Sequence, residues 1–167
     1  ISENSICKRF HISRTPVRSV LQRLQYAGFV QIVPHKGTIV TPISLKLASQ
    51  WIFQRMAVEC MVIRDFINIC SPTDVAKLHY THQLLQKIVD KMHQNPEGFD
   101  INEFLHTDLD MHRIWFQVTD KLPLWENLTK PQPDYSRFIR LDIMGGRNVP
   151  DVMTEHQELI SIIESRD

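Results

Sequence analysis

Ser13-Arg14-Thr15-Pro16-Val17-Arg18-Ser19-Val20-Leu21-Gln22-Arg23-Leu24, followed by Gly28-Phe29-Val30-Gln31-Ile32-Val33-Pro34-His35-Lys36-Gly37-Thr38-Ile39-Val40, decides how the N-terminal part of the chain folds. Ser13 suits a helix N-cap, and Pro16 falls in the first turn, where a missing N–H costs little. Val17, Val20, Leu21 and Leu24 recur at helical spacing, and Gly28 stands where a C′ glycine would end the helix. Arg14, Thr15 and Arg18 then project from the other side, near the helix start. Past Gly28 the period changes. Residues 29–33 and 38–40 are rich in β-branched side chains and flank Pro34-His35-Lys36-Gly37, a hairpin signal. Upstream, Ser2 and Glu3 open a short helix through Phe10, with Ile6 and Phe10 four apart, and His11-Ile12 make a brief turn.

Helix, turn, helix and two-stranded wing form the winged-helix arrangement. Charge agrees with it. Residues 1–43 carry six Lys/Arg (Lys8, Arg9, Arg14, Arg18, Arg23, Lys36) against Glu3 alone, a balance of +5. The rest of the chain compensates with −5, so the 167 residues are formally neutral. A cationic segment on a larger acidic body suits a polyanionic partner. Guanidinium forks at a helix start reach guanine edges or phosphates, and a basic residue beside a glycine allows a wing tip close to a DNA backbone.

Composition excludes other classes. No apolar run approaches the ~18 residues of a membrane span, because Gln54 and Arg55 interrupt the best stretch. Cys7, Cys60 and Cys70 are odd in number and widely spaced, which suggests neither a disulfide framework nor a thiolate zinc site. Five glycines leave little room for phosphate-cradling loops. A soluble, cytoplasmic, helix-rich protein is expected, mainly α, with domain 1–43 followed by an all-α body over 44–167.

In that body Thr41-Pro42-Ile43 reads as a linker and Ser44 as the cap of a helix to about Ile69. Ser71, Pro72 and Asp74 start a second helix, to about His93, and Asn95-Pro96-Glu97-Gly98 breaks the chain. A third helix covers about Ile101–Val118, with shorter ones near Pro123–Lys130, Tyr135–Met144 and Asp151–Ser165. On the third, Ile101, Phe104, Leu105, Asp108, His112 and Trp115 share one face. On the last, Val152, His156, Leu159, Ile160 and Ile163 form a second stripe. Each apolar stripe therefore contains polar groups. A buried Asp requires a partner, and two arrangements supply one: an Asp108–His112 ion pair with His156 bonded to a carbonyl, or a divalent metal held by Asp108, His112 and His156. His79, His82, His93 and His106 read as partly exposed helix residues, not ligands. Met56, Met61, Met92, Met111 and Trp51 are core or dimer-contact candidates.

The N-terminal motifs resemble the DNA-binding domain of GntR-family bacterial transcription regulators. They are Ser2-Glu3, Ser13-Arg14-Thr15-Pro16-Val17-Arg18, Leu21-Gln22-Arg23-Leu24, Gly28-Phe29-Val30 and Pro34-His35-Lys36-Gly37-Thr38. The resemblance implies operator contacts by Arg14, Thr15 and Arg18 from the helix and by His35, Lys36 and Gly37 from the wing. Asn4 departs from it, standing where family members carry a basic residue. Asp108-x-x-x-His112, Trp115-Phe116, Leu124-Trp125 and Glu155-His156-x-x-Leu159-Ile160 resemble the FCD effector-binding domain of FadR-type members, as does Arg55-x-x-x-Glu59. That likeness implies a metal (zinc, nickel, manganese or iron) on Asp108, His112 and His156, a small carboxylate effector, and a homodimer. It also implies helices before Ser2 and after Asp167, the latter with a further His ligand, so a chain trimmed at both ends is expected. Arg55, Arg137 and Arg140 are the body arginines suited to gripping an effector carboxylate.

The expected function is thus a ligand-responsive, DNA-binding regulator, more often a repressor in this family. Its rivals are a regulator that binds its effector without metal and a two-His-one-carboxylate metalloenzyme; the latter lacks an obvious general base and has no need of a basic winged head.

Overall fold

The computed structural model describes residues 1–166, with Gly145 in its backbone only. The elements are α1 (Glu3–Phe10), α2 (Arg14–Tyr26), β1 (Val30–Val33), β2 (Gly37–Val40), α3 (Leu45–Ile69), α4 (Pro72–Gln94), α5 (Ile101–Val118), α6 (Leu122–Leu128), α7 (Pro133–Ile143) and α8 (Val149–Ser165). Short 3-10 turns at Pro96–Gly98 and Met144–Gly146 complete the sequence. No helix among the described residues is long and apolar enough to cross a membrane. Two compact units result: Ile1–Ser49 with Pro131–Phe138, and Gln50–Lys130 with the chain from Ile139 on.

In the first unit Val17 and Leu21 of α2 are buried with Val30 at the foot of the wing. Gly28 has φ +83. Its N–H bonds to the Gln25 carbonyl and the Phe29 N–H to the Leu24 carbonyl, which is the paired bonding of a Schellman C-cap. The strands pair antiparallel with Val30 opposite Val40 and Val33 opposite Gly37. Gly37 therefore closes the ladder at φ +100, and the tip is Pro34-His35-Lys36, with His35 itself left-handed at φ 62.

Two expectations for α2 need correction. Ser13 occupies the N-cap position in an extended conformation, but its side chain makes no capping bond. Val20, assigned to the buried stripe, is 51 % exposed and borders an apolar groove with Ile6, Phe10 and Ile12. The short α1 buries nothing and leaves that edge of α2 uncovered.

The second unit has α4 at its centre, packed against α5 and α8. Leu78, Leu85, Ile88, Val89 and Met92 form its buried stripe, and meet Phe66 of α3, Phe104, Met111, Trp115 and Phe116 of α5, and Ile160 and Ile163 of α8. Burying a side chain of this size contributes about 1.5–3 kcal/mol, so these residues hold the unit together. Ser71 caps α4 through a complete capping box with Asp74, and hydrogen bonds from Ser71 and Lys77 hold the Asp74 carboxyl down at about 2. Asp100, a cap the sequence reading did not single out, accepts from the Asn102 and Glu103 N–H groups at the start of α5. α8 begins two residues earlier than expected, because Pro150 is accommodated within its first turn.

Candidate functional site

In the second unit α5 supplies Asp108 and His112 one turn apart, and α8 supplies His156 from its buried face. One ligand atom from each residue lies within 4.8 Å of the others. His156 Nε2 stands 3.3 Å from Asp108 Oδ1 and 3.3 Å from His112 Nε2, while His112 Nε2 is 3.8 Å from Asp108 Oδ1. Ligands bound at ~2.1 Å to one metal ion stand about 3.0–3.4 Å apart; the two spacings from His156 fall in that range, and the His112–Asp108 spacing of 3.8 Å is wider. The alternative foreseen from sequence is realised only in part: Asp108 and His112 stand at ion-pair distance, 3.8 Å, too long for a hydrogen bond, but His156 Nδ1, buried, has no hydrogen-bond partner among the described residues.

The neighbours of these three residues set their chemistry. His112 Nδ1 donates to Glu59 Oε2, whose other oxygen accepts from Arg55 Nε, four residues earlier on α3. Glu59 is buried at 6 % exposure. Burial would raise its carboxyl, but His112 and Arg55 outweigh that and hold it at about 2. Burial pushes the His156 imidazole down to about 4; His112, His82 and Arg55 push the same way, and Asp108 opposes them. His156 is thus neutral at pH 7, as an imidazole ligand must be. His82, expected to be a partly exposed helix residue and no ligand, is half-buried on α4 and outside the three-donor group. Its ring packs edge-on to His156 with centroids 6.4 Å apart, and its Nε2 lies 3.4 Å from the Met153 carbonyl oxygen.

The three body arginines separate. Arg55 is joined to the cluster through Glu59 and also stands 5.8 Å from the Trp125 ring centroid. Arg140 donates to Asn102 Oδ1 at 2.8 Å. Arg137 belongs to the first unit, where it bonds to the Thr41 and Pro133 carbonyls and packs over Phe29. Its guanidinium fastens the segment that follows the wing. The sequence reading assigned all three to one helical body because periodicity alone does not reveal that the first half of α7 folds with residues 1–49.

On the first unit Arg14, Thr15 and Arg18 of α2 and His35, Lys36 and Gly37 of the wing are all exposed. Arg18 is already engaged: its Nε lies 2.9 Å from Glu3 Oε2, with the arginine side chain 60 % exposed. An exposed pair of this kind is worth at most ~1 kcal/mol, so a phosphate can replace Glu3.

Comparison with known proteins agrees with this two-part organisation. Residues 1–40 match the family described as "Bacterial regulatory proteins, gntR family", and residues 52–167 match the FCD domain. The chain belongs to the GntR family of bacterial transcription regulators, in the group that carries an FCD domain; it is a DNA-binding regulator and not an enzyme. It is 26% identical over 170 residues to the HTH-type transcriptional repressor RspR of Escherichia coli, covering 100% of this chain and 70% of that protein. It is 24% identical over 173 residues to the gluconate operon transcriptional repressor of Bacillus subtilis, covering 100% of this chain and 68% of that one. Among solved structures, E. coli McbR/YncC matches with TM-score 0.64 at 15% identity, covering 100% of this chain and 76% of that one. A GntR family member from Pseudomonas syringae matches with TM-score 0.51 at 20% identity, over 98% and 66%. Both likenesses are of fold.

Proposed function

We propose that the protein is an effector-responsive repressor acting on operator DNA in the bacterial cytoplasm. Its FCD domain would hold a divalent metal on Asp108, His112 and His156 and use it to take a small carboxylate. The observation that carries this reading is the convergence of those three donors from α5 and α8, with His156 Nδ1 left unpartnered in a buried setting. An apolar interior does not retain such a group without a reason. The metal would supply a positive centre for the effector's carboxylate, and of the arginines considered Arg55 is the one tied to the site. Arg14, Thr15 and Arg18, with His35, Lys36 and Gly37, would meet the DNA.

A homodimer fits the outer face of α3. Phe53 at 74 %, Met56 at 60 % and Met61 at 53 % exposure fall with Ala57 and Cys60 along one helical stripe, an apolar surface suited to a second copy. Two copies would present two winged heads to adjacent half-sites. Regulation then requires the effector to favour the arrangement that cannot bind DNA, because equal affinity for both shifts nothing.

The test is selection of duplexes from a random pool, followed by a search for carboxylates that release the selected DNA with Zn²⁺ present and in chelator. A two-fold symmetric site, released by a carboxylate only when metal is present, is the expected result. Failure to enrich any site overturns the DNA-reading part, and release undiminished by chelator overturns the metal part.

A further inference from the structure

A buried Arg–Glu pair is a poor device for stability, since well-packed apolar residues serve as well or better. Arg55 and Glu59 form such a pair, at 18 % and 8 % side-chain exposure. An i,i+4 ion pair within α3 accounts for one oxygen of Glu59. It does not account for the other, which reaches across to His112, 53 residues away in sequence.

That second contact fixes the state of the ring. Imidazole nitrogens differ in role according to which one carries the proton. A carboxylate only accepts, so a His112 Nδ1 that faces Glu59 must carry a hydrogen. The Nε2 is then the nitrogen left for coordination, and it is the one directed at His156 Nε2 and Asp108 Oδ1. Arg55, holding the opposite oxygen of Glu59, limits how the carboxylate can rotate. Trp115 packs edge-on against the His112 ring, with centroids 4.8 Å apart, and restrains it from the side.

Building on the metal site proposed above, we infer that Glu59 is a positioning residue: anchored by Arg55, it selects the Nδ1–H form of His112 and aims its Nε2 into the Asp108–His156 pair. This is the carboxylate–histidine–metal relation, in which the outer carboxylate sets ring orientation and ligand basicity.

The experiment measures Zn²⁺ affinity of the full chain by competition with a chromophoric chelator, for wild type, Glu59→Gln and Glu59→Asp. Thermal unfolding of each metal-free protein is recorded alongside. Glu59→Gln is expected to weaken Zn²⁺ binding about 10–100-fold, the usual effect of losing an outer-shell partner. Glu59→Asp keeps the charge but shortens the reach, and is expected to weaken binding as well. A folded Glu59→Gln protein that binds Zn²⁺ as wild type does overturns the assignment, as does a loss of metal-free stability with affinity unchanged. Absence of Zn²⁺ binding by wild type itself overturns the metal site, and the positioning role with it; wild-type binding without a mutant effect overturns the positioning role alone. Should Glu59→Gln fail to fold, ¹H–¹⁵N imidazole spectra of the Zn²⁺-loaded wild type decide. An Nδ1–H, Nε2-coordinated His112 is expected, and an Nδ1-coordinated ring refutes the inference.

Discussion

His156→Leu in metal-free protein tests the account of the site most directly. The imidazole is 5 % exposed and its Nδ1 has no hydrogen-bond partner among the described residues. An unsatisfied buried polar atom costs about 1–3 kcal/mol. Leu has similar bulk, so removing the ring recovers that cost and leaves little cavity. Against it stands the loss of the His156 Nε2 hydrogen bond to His112 Nε2 at 3.3 Å, worth about 0.5–1.5 kcal/mol, with the equally long contact to Asp108. The net expectation is a variant between equal to and about 2 kcal/mol more stable than wild type at pH 7, up to ~8 °C in Tm for a chain of this size. Most core substitutions go the other way.

Acidification sharpens the contrast. Burial holds the folded His156 at about 4, well below the ordinary imidazole value of 6.5. Its folded pKa is depressed, so between those values the unfolded chain takes up a proton that the folded one refuses, and wild type loses stability as pH falls. From pH 7 to pH 5 this single group contributes a loss of about 2 kcal/mol, which His156→Leu escapes. Thermal unfolding in EDTA at both pH values, followed by circular dichroism, reads the difference. A variant clearly less stable than wild type at pH 7, or a gap between the two proteins that does not widen at pH 5, refutes the reasoning. Added Zn²⁺ should raise the Tm of wild type by about 5–11 °C at 100 times Kd and leave the variant unmoved.

Other expectations are simpler. Arg14→Ala should weaken operator binding by about 1–3 kcal/mol if the guanidinium reads a base, whereas Lys36→Ala should lower the salt slope by ~1 and cost every duplex alike; an unchanged isotherm for both removes them from the interface. Glu3→Gln releases Arg18 and should leave DNA affinity equal or improved, so a weakened variant contradicts the placement of Arg18 at the DNA. Ser71→Ala should cost about 1 kcal/mol through loss of the capping box. Because the Asp74 carboxyl sits at about 2 instead of 3.8, its share of the capping box is complete above pH 3.8 and fades as pH drops towards 2, while the Asp74 N–H bond to Ser71 Oγ does not titrate; the Ser71→Ala penalty should shrink without vanishing, and one that grows on acidification counts against the assignment. Phe53→Glu together with Met61→Glu should convert a dimer to a monomer in light scattering, and an unaltered mass shows that this face of α3 is not the contact.

Much of this architecture is legible in the sequence because its signals are local. Ser71-Pro72-x-Asp74 specifies a helix start by itself, Gly28 specifies a helix end, and the α5 stripe from Phe104 to Trp115 follows from spacing. The pairing of Asp108 with His112 is legible for the same reason. Contacts made across the fold are not. Glu59 is one turn beyond Arg55, and nothing nearby indicates that its second oxygen meets a histidine 53 positions later. His82 lacked a carboxylate on its own stripe, yet it packs against His156 because α4 lies against α8. Val20 shows the opposite failure: its spacing matches a buried stripe, but α1 is too short to cover it.

Helix α3 runs 25 residues, about 37 Å of nearly rigid rod. Glu59 points from it into the fold, while Phe53, Met56 and Met61 point out. A rod of that stiffness cannot give way on one side alone. If the proposed second copy seats on that row, whatever nudges the acid at its waist would also tilt the oily row on its back, and a guest of a few atoms would gain purchase on how the neighbouring molecule sits.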